Sequence, residues 1–286
     1  MTALADALRT DIARLAGEIG ERHTRRPRAL AAAAAFIEEA LAAAGHRVER
    51  QEYEVGGVPC ANLEVEVAGG PEVIVVGAHY DTVPGSPGAN DNATGVAATL
   101  ALARAFAGRR PARTLRFVAF VNEEMPYFHT DRMGSFRYAR RCRERGERVV
   151  GMLSLETIGY YSDEPRSQAY PFPLGLLYPS TGNFVGFVAN LRSRAFGRRV
   201  ASAFRRHARF PCESVATFGG IPGVGWSDHW AFWEAGFPAV MVTDTALFRY
   251  PHYHTADDTP DKVDHESLAR VVAGLERTVE DLAHGP

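Results

Sequence analysis

The sequence predicts an α/β fold around one central mixed β-sheet, and three features predict it. Apolar, strand-length runs at 73–76, 115–121, 149–155 and 237–242 alternate with segments of helical period, the pattern of a sheet covered by helices. Each run leads into a histidine or a carboxylate: His79, the pair Glu123 and Glu124, Glu156, and Asp244. Two more segments, 46–54 and 61–67, alternate apolar with polar residues on either side of Gly56 and Gly57, which predicts an antiparallel pair on the solvated side of the sheet. With no internal repeat and no long linker in 286 residues, one domain over 1–286 is the economical reading.

The elements follow in order. Residues 4–19 keep helical spacing up to Gly20, and Pro27 starts a second, alanine-rich helix that ends at Gly45; Pro at a first turn and Gly past an end mark helix boundaries. The helices within 1–45 are expected to pack on one face of the sheet. Val73–Val76 delivers His79 to a strand end, 83–88 is too rich in Pro and Gly for regular structure, and Asn90-Asp91-Asn92-Ala93-Thr94-Gly95 opens a helix to Gly108. Pro111 precedes a strand over 115–122, and Met125-Pro126 turns the chain after Glu123 and Glu124. A helix over 134–145, the strand 149–155 and a loop over the site at 162–179 come next. Segments 184–191 and 200–207 read as helical, 214–218 as extended, and 227–235 as a short helix begun by Ser227-Asp228-His229. The strand 237–244, a loop over 248–260 and an amphipathic helix over 264–282 complete the chain.

Lys and Arg number 32 against 34 Asp and Glu, a formal net charge of -2, which gives no electrostatic ground for binding nucleic acid or an anionic membrane surface. Lys262 is the only lysine, so the basic residues read as an arginine bias and not as a phosphate-binding face. No segment reaches the apolar length of a membrane span. Asp6, Arg9, Asp11 and Arg14 interrupt the apolar core that a signal peptide needs. Cys60, Cys142 and Cys212 match neither a disulfide framework nor a paired-cysteine metal site; inert thiols in a reducing cytoplasm are expected.

Open α/β sheets place their chemistry outside the carboxyl ends of the strands, where His79, Asp81, Asp91, Glu123, Glu124, Glu156, Asp244 and His254 collect. The spacing His79-x-Asp81 suits a metal-bound imidazole whose second N–H meets a carboxylate. By itself it equally suits a satisfied loop histidine, with Asp91 capping the next helix. Glu123-Glu124 suits a division of labour, one carboxylate holding metal and the other a proton; alone, it also suits a solvated strand end. Nitrogen and carboxylate donors without thiolates point to zinc in an open site, or to manganese or cobalt.

The order His-x-Asp, Asn-Asp-Asn-x-x-Gly, Glu-Glu, an acid after the next strand, and Tyr-His-x-x-x-Asp at Tyr253, His254 and Asp258 resembles the co-catalytic dinuclear zinc exopeptidases of the bacterial leucyl aminopeptidase type. The resemblance runs from Ala61 to the final helix and takes in the Ser-Asp-His helix start and the Gly-Phe-Pro-Ala turn at 236–239. It implies a three-layer α/β/α fold and an aminopeptidase acting on peptide or aminoacyl substrates with two divalent ions, zinc foremost. Carried over position by position, it makes Asp91 the bridge between the ions, with His79 and Glu156 on one and Glu124 and His254 on the other. Glu123 becomes the general base toward a bridging water, and Asp81 the partner of His79. The resemblance also implies a cis peptide between Asp91 and Asn92.

Two departures stand out: Glu156 occupies a position where many relatives carry Asp, and 125–133 is an insertion. His129 within it reads as a rim residue, since the ligand set is complete without it. Asp228, His229, Asp244 and Asp258 suit either support of the ligands or local caps and turns. Tyr160, Tyr161, Trp226, Phe248 and Tyr250 suit either a specificity pocket or ordinary packing. The alternatives are a glutaminyl cyclase with a single zinc, which shares the architecture, and a non-catalytic binding module on the same scaffold. Between Glu156 and His254, loops and helices are expected to leave too little strand for an inserted dimerisation domain.

Overall fold

The computed structural model describes residues 2–285. Helix α1 (Thr2–Ile12) runs into a wider π-helical stretch, Ala13–Ile19, and α2 (Pro27–Ala43) carries Pro27 in its first turn. Strands β1 (Glu49–Val55), β2 (Val58–Val67) and β3 (Gly70–His79) precede α3 (Thr94–Phe106) and β4 (Arg113–Phe120). Then come α4 (Gly134–Glu144), β5 (Arg148–Glu156), β6 (Val185–Asn190), α5 (Arg194–His207) and β7 (Cys212–Thr217). The chain finishes with α6 (His229–Glu234), β8 (Ala239–Thr243), α7 (Ala246–Arg249) and α8 (His265–His284). The Asp264 side chain caps α8 by accepting the Ser267 N–H at 3.0 Å, a bond worth about 1 kcal/mol.

All eight strands join one mixed sheet in the order β1-β2-β4-β3-β5-β8-β6-β7. β4, β3, β5 and β8 are parallel to one another, β2 runs antiparallel to β1 and β4, and β6 is antiparallel to β8 and parallel to β7. Alternation of side chains explains why the central strands are apolar throughout. Ile74 and Val76 of β3 enter one core with α1, α2, α3, α5 and α8, while Val73 and Val75 enter the opposite core with α4 and α6. The expected three layers, helices on both faces of a mixed sheet, are therefore present.

Three local expectations are corrected. Residues 184–191, read as helix, form β6: Val185, Phe187 and Ala189 face one core and Val188 the other, so the strand is buried on both sides and its register with β7 and β8 overrides any local preference. The stretch from Glu156 to His254 thus holds three strands, all of them extending the one sheet. The β1–β2 hairpin forms about Gly56 and Gly57, but only β1 keeps a solvated face. β2 lies between β1 and β4 and is buried from Cys60 to Val65. Its one buried acid, Glu64, pairs with Arg141 at 2.5 Å and Arg116 at 3.4 Å. Of the N-terminal helices, α2 packs on β2, whereas α1 lies against α3 and α8.

Candidate metal centre

Parallel pairing brings three strand ends to one edge. His79 closes β3 beside Phe120 at the end of β4, and Glu156 closes β5 on the other flank. After β4 the chain turns at Asn122, whose φ of 61° lies in the left-handed region, an arrangement Asn tolerates better than most residues. That turn lets Glu123 and Glu124 both face the strand edge instead of alternating. Asp91 sits in the turn Ala89–Ala93 that enters α3, and the Asp91–Asn92 peptide is cis, as the resemblance implied. His254 comes from the loop after α7.

The six side chains meet. His79 Nε2 lies 3.4 Å from Asp91 Oδ1, 3.3 Å from Glu156 Oε2 and 4.0 Å from Glu123 Oε2. His254 Nε2 lies 2.9 Å from Asp91 Oδ2 and 3.4 Å from Glu124 Oε1. Three donor groups fall within metal-binding reach: His79 with Asp91 and Glu156, Asp91 with Glu124 and His254, and His79 with Glu123 and Glu124. Asp91 belongs to the first two, and its Oδ1 is buried without a hydrogen-bond partner. A buried, unsatisfied carboxylate oxygen among imidazoles and carboxylates has the chemistry of a cation ligand. His254 is 37% exposed, whereas the other donors are buried, so the centre opens to solvent on that side.

The charges perturb one another strongly. Burial, followed by Glu124, Glu156 and Asp228, offsets the pull of His79 and pushes the Glu123 carboxyl well above the usual range. Burial pushes Glu124 up to about 7, with Asp91 adding to it and His254 opposing. Burial would raise Asp91 too, yet the neighbouring His254 and His79 imidazoles hold it below its ordinary value. Burial disfavours a charged His254, but Asp91 and Glu124 raise it to about 10. Crowding of carboxylates and imidazoles is thus relieved only by protons or by cations.

Supporting contacts fix this geometry. Asp81 accepts from the backbone N–H groups of Glu123 at 3.0 Å and Glu124 at 3.2 Å. Its carboxylate is 3.7 Å from His79 Nδ1, which lies closer, at 3.2 Å, to the Asp81 carbonyl. Asp258 accepts from the N–H groups of Asn90 at 2.8 Å and Asp91 at 3.0 Å and from Tyr250 Oη at 2.8 Å, tying the loop of His254 to the turn of Asp91. Asp244 accepts from Asn90 Nδ2 and the Tyr160 N–H. Asp228 is fully buried, and burial pushes it up to about 7. His229 bonds the Val224 carbonyl at 2.8 Å through Nε2. None of Asp228, His229, Asp244 and Asp258 joins a donor group among the described residues.

Three contributors escaped the sequence. Ser227 Oγ donates to Glu156 Oε2 at 2.7 Å; the Ser-Asp-His start carried that signal. Asn92 Oδ1 accepts from Gly95 N–H and Thr157 N–H at 3.1 Å each. A Cβ at Gly95 would sit 2.3 Å from the Leu155 carbonyl, so the last position of the Asn-Asp-Asn-x-x-Gly motif must be glycine for α3 to approach β5. Arg22, fully buried, donates to the carbonyls of Tyr80, Pro87 and Gly88 and so anchors the loop between β3 and Asp91.

His129 stands at the rim, stacked at 3.9 Å on both Phe128 and Trp230 and bonded to the Gly225 carbonyl. Trp226 and Phe248 line a cleft beside Glu156. Tyr160 and Tyr250 instead pack on each other, and Tyr161 packs on Phe210. The three cysteines are free thiols, and no helix among the described residues is long and apolar enough to cross a membrane.

The profile of peptidase family M28 matches residues 62–279. Protein YfbL of Escherichia coli is 38% identical over 253 residues, spanning 85% of this chain and 77% of its own. Aminopeptidase YwaD of Bacillus subtilis is 29% identical over 208 residues, 69% of this chain but 38% of that relative. Among solved structures, glutaminyl cyclase of Fimbriiglobus ruber superposes with a TM-score of 0.72 at 22% identity, covering 96% of this chain and 94% of that one, a likeness of fold. The family match spans the sheet from within β2 to β8, the candidate donors and most of α8, and the chain belongs to peptidase family M28.

Proposed function

We propose that the protein is a metal-dependent aminopeptidase holding two divalent ions, zinc foremost, with His79 and Glu156 on one ion, Glu124 and His254 on the other, and Asp91 between them. The observation that carries this reading is the Asp91 carboxylate, which turns one oxygen to His79 and the other to His254. Nitrogen and oxygen donors with no thiolate suit zinc in an open, catalytic site. When bound, such ions polarise the scissile carbonyl and acidify water. The residues do the rest. Glu123 takes the proton from the attacking water and returns it to the leaving amine, a role supported by its burial and its raised pKa. Asp81 holds the backbone of Glu123 and Glu124, and Ser227 orients Glu156.

A glutaminyl cyclase with a single zinc is the second reading, favoured by the superposition with the Fimbriiglobus enzyme over nearly all of both chains. One experiment separates the two. Release of amino acids from unblocked peptides by protein carrying two metal equivalents supports the aminopeptidase. Cyclisation of N-terminal glutamine with ammonia release at one equivalent supports the cyclase and overturns our proposal.

A further inference from the structure

The cleft beside the metal centre has a defined floor. Glu156 of β5 is in register with Thr243 of β8, Thr243 with Gly186 of β6, and Gly186 with Glu213 of β7. Residues in register point to the same face of a sheet. A line of side chains therefore runs from a candidate ligand, over a small threonine and a bare glycine, to a carboxylate. Three strand spacings of about 4.8 Å separate its ends by roughly 14 Å. The same four residues line one cleft, whose walls are apolar: Phe184, Val188, Val215, Trp226, Met241 and Phe248.

The far end differs in kind from the walls. Tyr170 and Tyr178 stand there with ring centroids 5.9 Å apart, beside Glu213. Both phenols are committed as donors, to the carbonyls of Pro179 and Ser214, so their ring faces and the carboxylate remain for a ligand. No ion pair engages Glu213 among the described residues. Arg205 bonds the Cys212 carbonyl and Ser214 Oγ, and the side chains of Cys212 and Ser214 alternate to the other face. Arg249, outside the lining, bonds Gln168 and the Phe184 carbonyl, with the Asp244 charge offsetting its own.

An apolar channel ending in two aromatic faces and an unpaired carboxylate fits a long aliphatic stem tipped by a cation. We infer that the cleft takes the side chain of the N-terminal residue and selects arginine or lysine through Glu213, Tyr170 and Tyr178. A leucine side chain ends among the apolar walls and leaves the carboxylate unused. This inference rests on the aminopeptidase reading for its reaction, and on the cleft alone for its ligand.

Two readouts keep those supports apart. Calorimetry on metal-loaded protein compares argininamide with leucinamide, and initial rates compare arginyl, lysyl and leucyl p-nitroanilides. Argininamide is expected to bind about tenfold more tightly than leucinamide, with the rates in the same order, and Glu213→Gln to bring the ratios close to one. Gly186→Val tests the path: a Cβ there meets the Thr243 carbonyl at 3.4 Å, so the fold tolerates it, while the branched side chain obstructs the trough and lowers argininamide affinity. Circular dichroism checks that both variants fold. Equal binding of the two amides, or an arginine preference that survives Glu213→Gln, overturns the inference whatever the rates. Preferential argininamide binding without turnover of any aminoacyl substrate upholds the cleft and sinks the aminopeptidase reading.

Discussion

The Asp81 carboxylate accepts the backbone N–H of Glu123 at 3.0 Å through one oxygen, while its other oxygen accepts that of Glu124. A residue two positions past one candidate ligand thereby fixes the backbone of the candidate base. Asp81→Asn replaces one accepting oxygen by an NH2 group that faces an N–H, so the turn at 122–124 must shift. Activity is expected to fall about 10–100-fold, the usual cost of losing such a supporting contact. Activity within twofold of wild type would show that the turn needs no such clamp.

Glu123→Gln keeps the shape of the side chain and removes its capacity to carry a proton. The expected result is a drop in kcat of about 10²–10⁴-fold with KM little changed. Metal content by elemental analysis stays at the wild-type level, whereas His254→Ala lowers it. Loss of metal from Glu123→Gln would instead make Glu123 a ligand, the role open to it in the group with His79 and Glu124.

Without the proposed ions, four buried acids, Asp91, Glu123, Glu124 and Glu156, stand around two histidines. Chelator treatment is expected to abolish turnover and to lower the thermal midpoint. Each ion present at about 100 times its dissociation constant contributes about 2.7 kcal/mol to stability. Scanning calorimetry before and after zinc is restored measures the shift. An unchanged midpoint would mean that the cluster relieves its repulsion through protons alone.

His229 supplies a pH test away from the candidate ligands. Burial lowers it from 6.5 to about 4, with the Val224 carbonyl opposing. Between those values the unfolded chain holds a proton that the folded protein lacks, so stability falls as pH drops through 6.5 toward 4 and is unaffected above. A shift of this size is worth about 3 kcal/mol across the window. His229→Gln removes the titration, and urea unfolding at pH 7 and pH 4 should show a smaller loss in the variant. Equal losses would show that His229 is protonated in the folded state.

What the sequence revealed, and what it hid, follows from the range of each interaction. The candidate donors at strand ends, His79, Glu123, Glu124 and Glu156, were legible because a buried strand reads as a continuous apolar run, and a carboxylate or imidazole at its end interrupts that run visibly. Strand β6 was not legible: Val185 to Asn190 is short, contains Gly186, and owes its state to register with Thr243 and Glu213, residues 57 and 27 positions away. Ser227 left a trace because it begins a short motif. Arg22 left none, since its partners are backbone carbonyls and any residue type supplies those.

Arg22 also supports the strongest stability prediction. Its Nε donates to the Tyr80 carbonyl at 2.6 Å, and its two terminal nitrogens donate to the carbonyls of Pro87 at 2.6 Å and Gly88 at 3.0 Å. Burial lowers its pKa to about 10, opposed by the charges of Asp258, Asp81 and Asp91. Arg22→Met fills most of the space, yet strands the buried Tyr80 and Gly88 carbonyls and the partly buried Pro87 carbonyl, and removes the cation facing those aspartates. Leaving such groups unpaired costs about 3–5 kcal/mol. Arg22→Lys keeps the charge but loses the planar fork, so it regains only part of that. Because Gly88 stands three residues before Asp91, metal affinity is expected to fall along with the unfolding free energy in both variants. A loss below about 1 kcal/mol in Arg22→Met, measured by urea unfolding, would mean that water satisfies these carbonyls and that the loop holds Asp91 in place without the arginine.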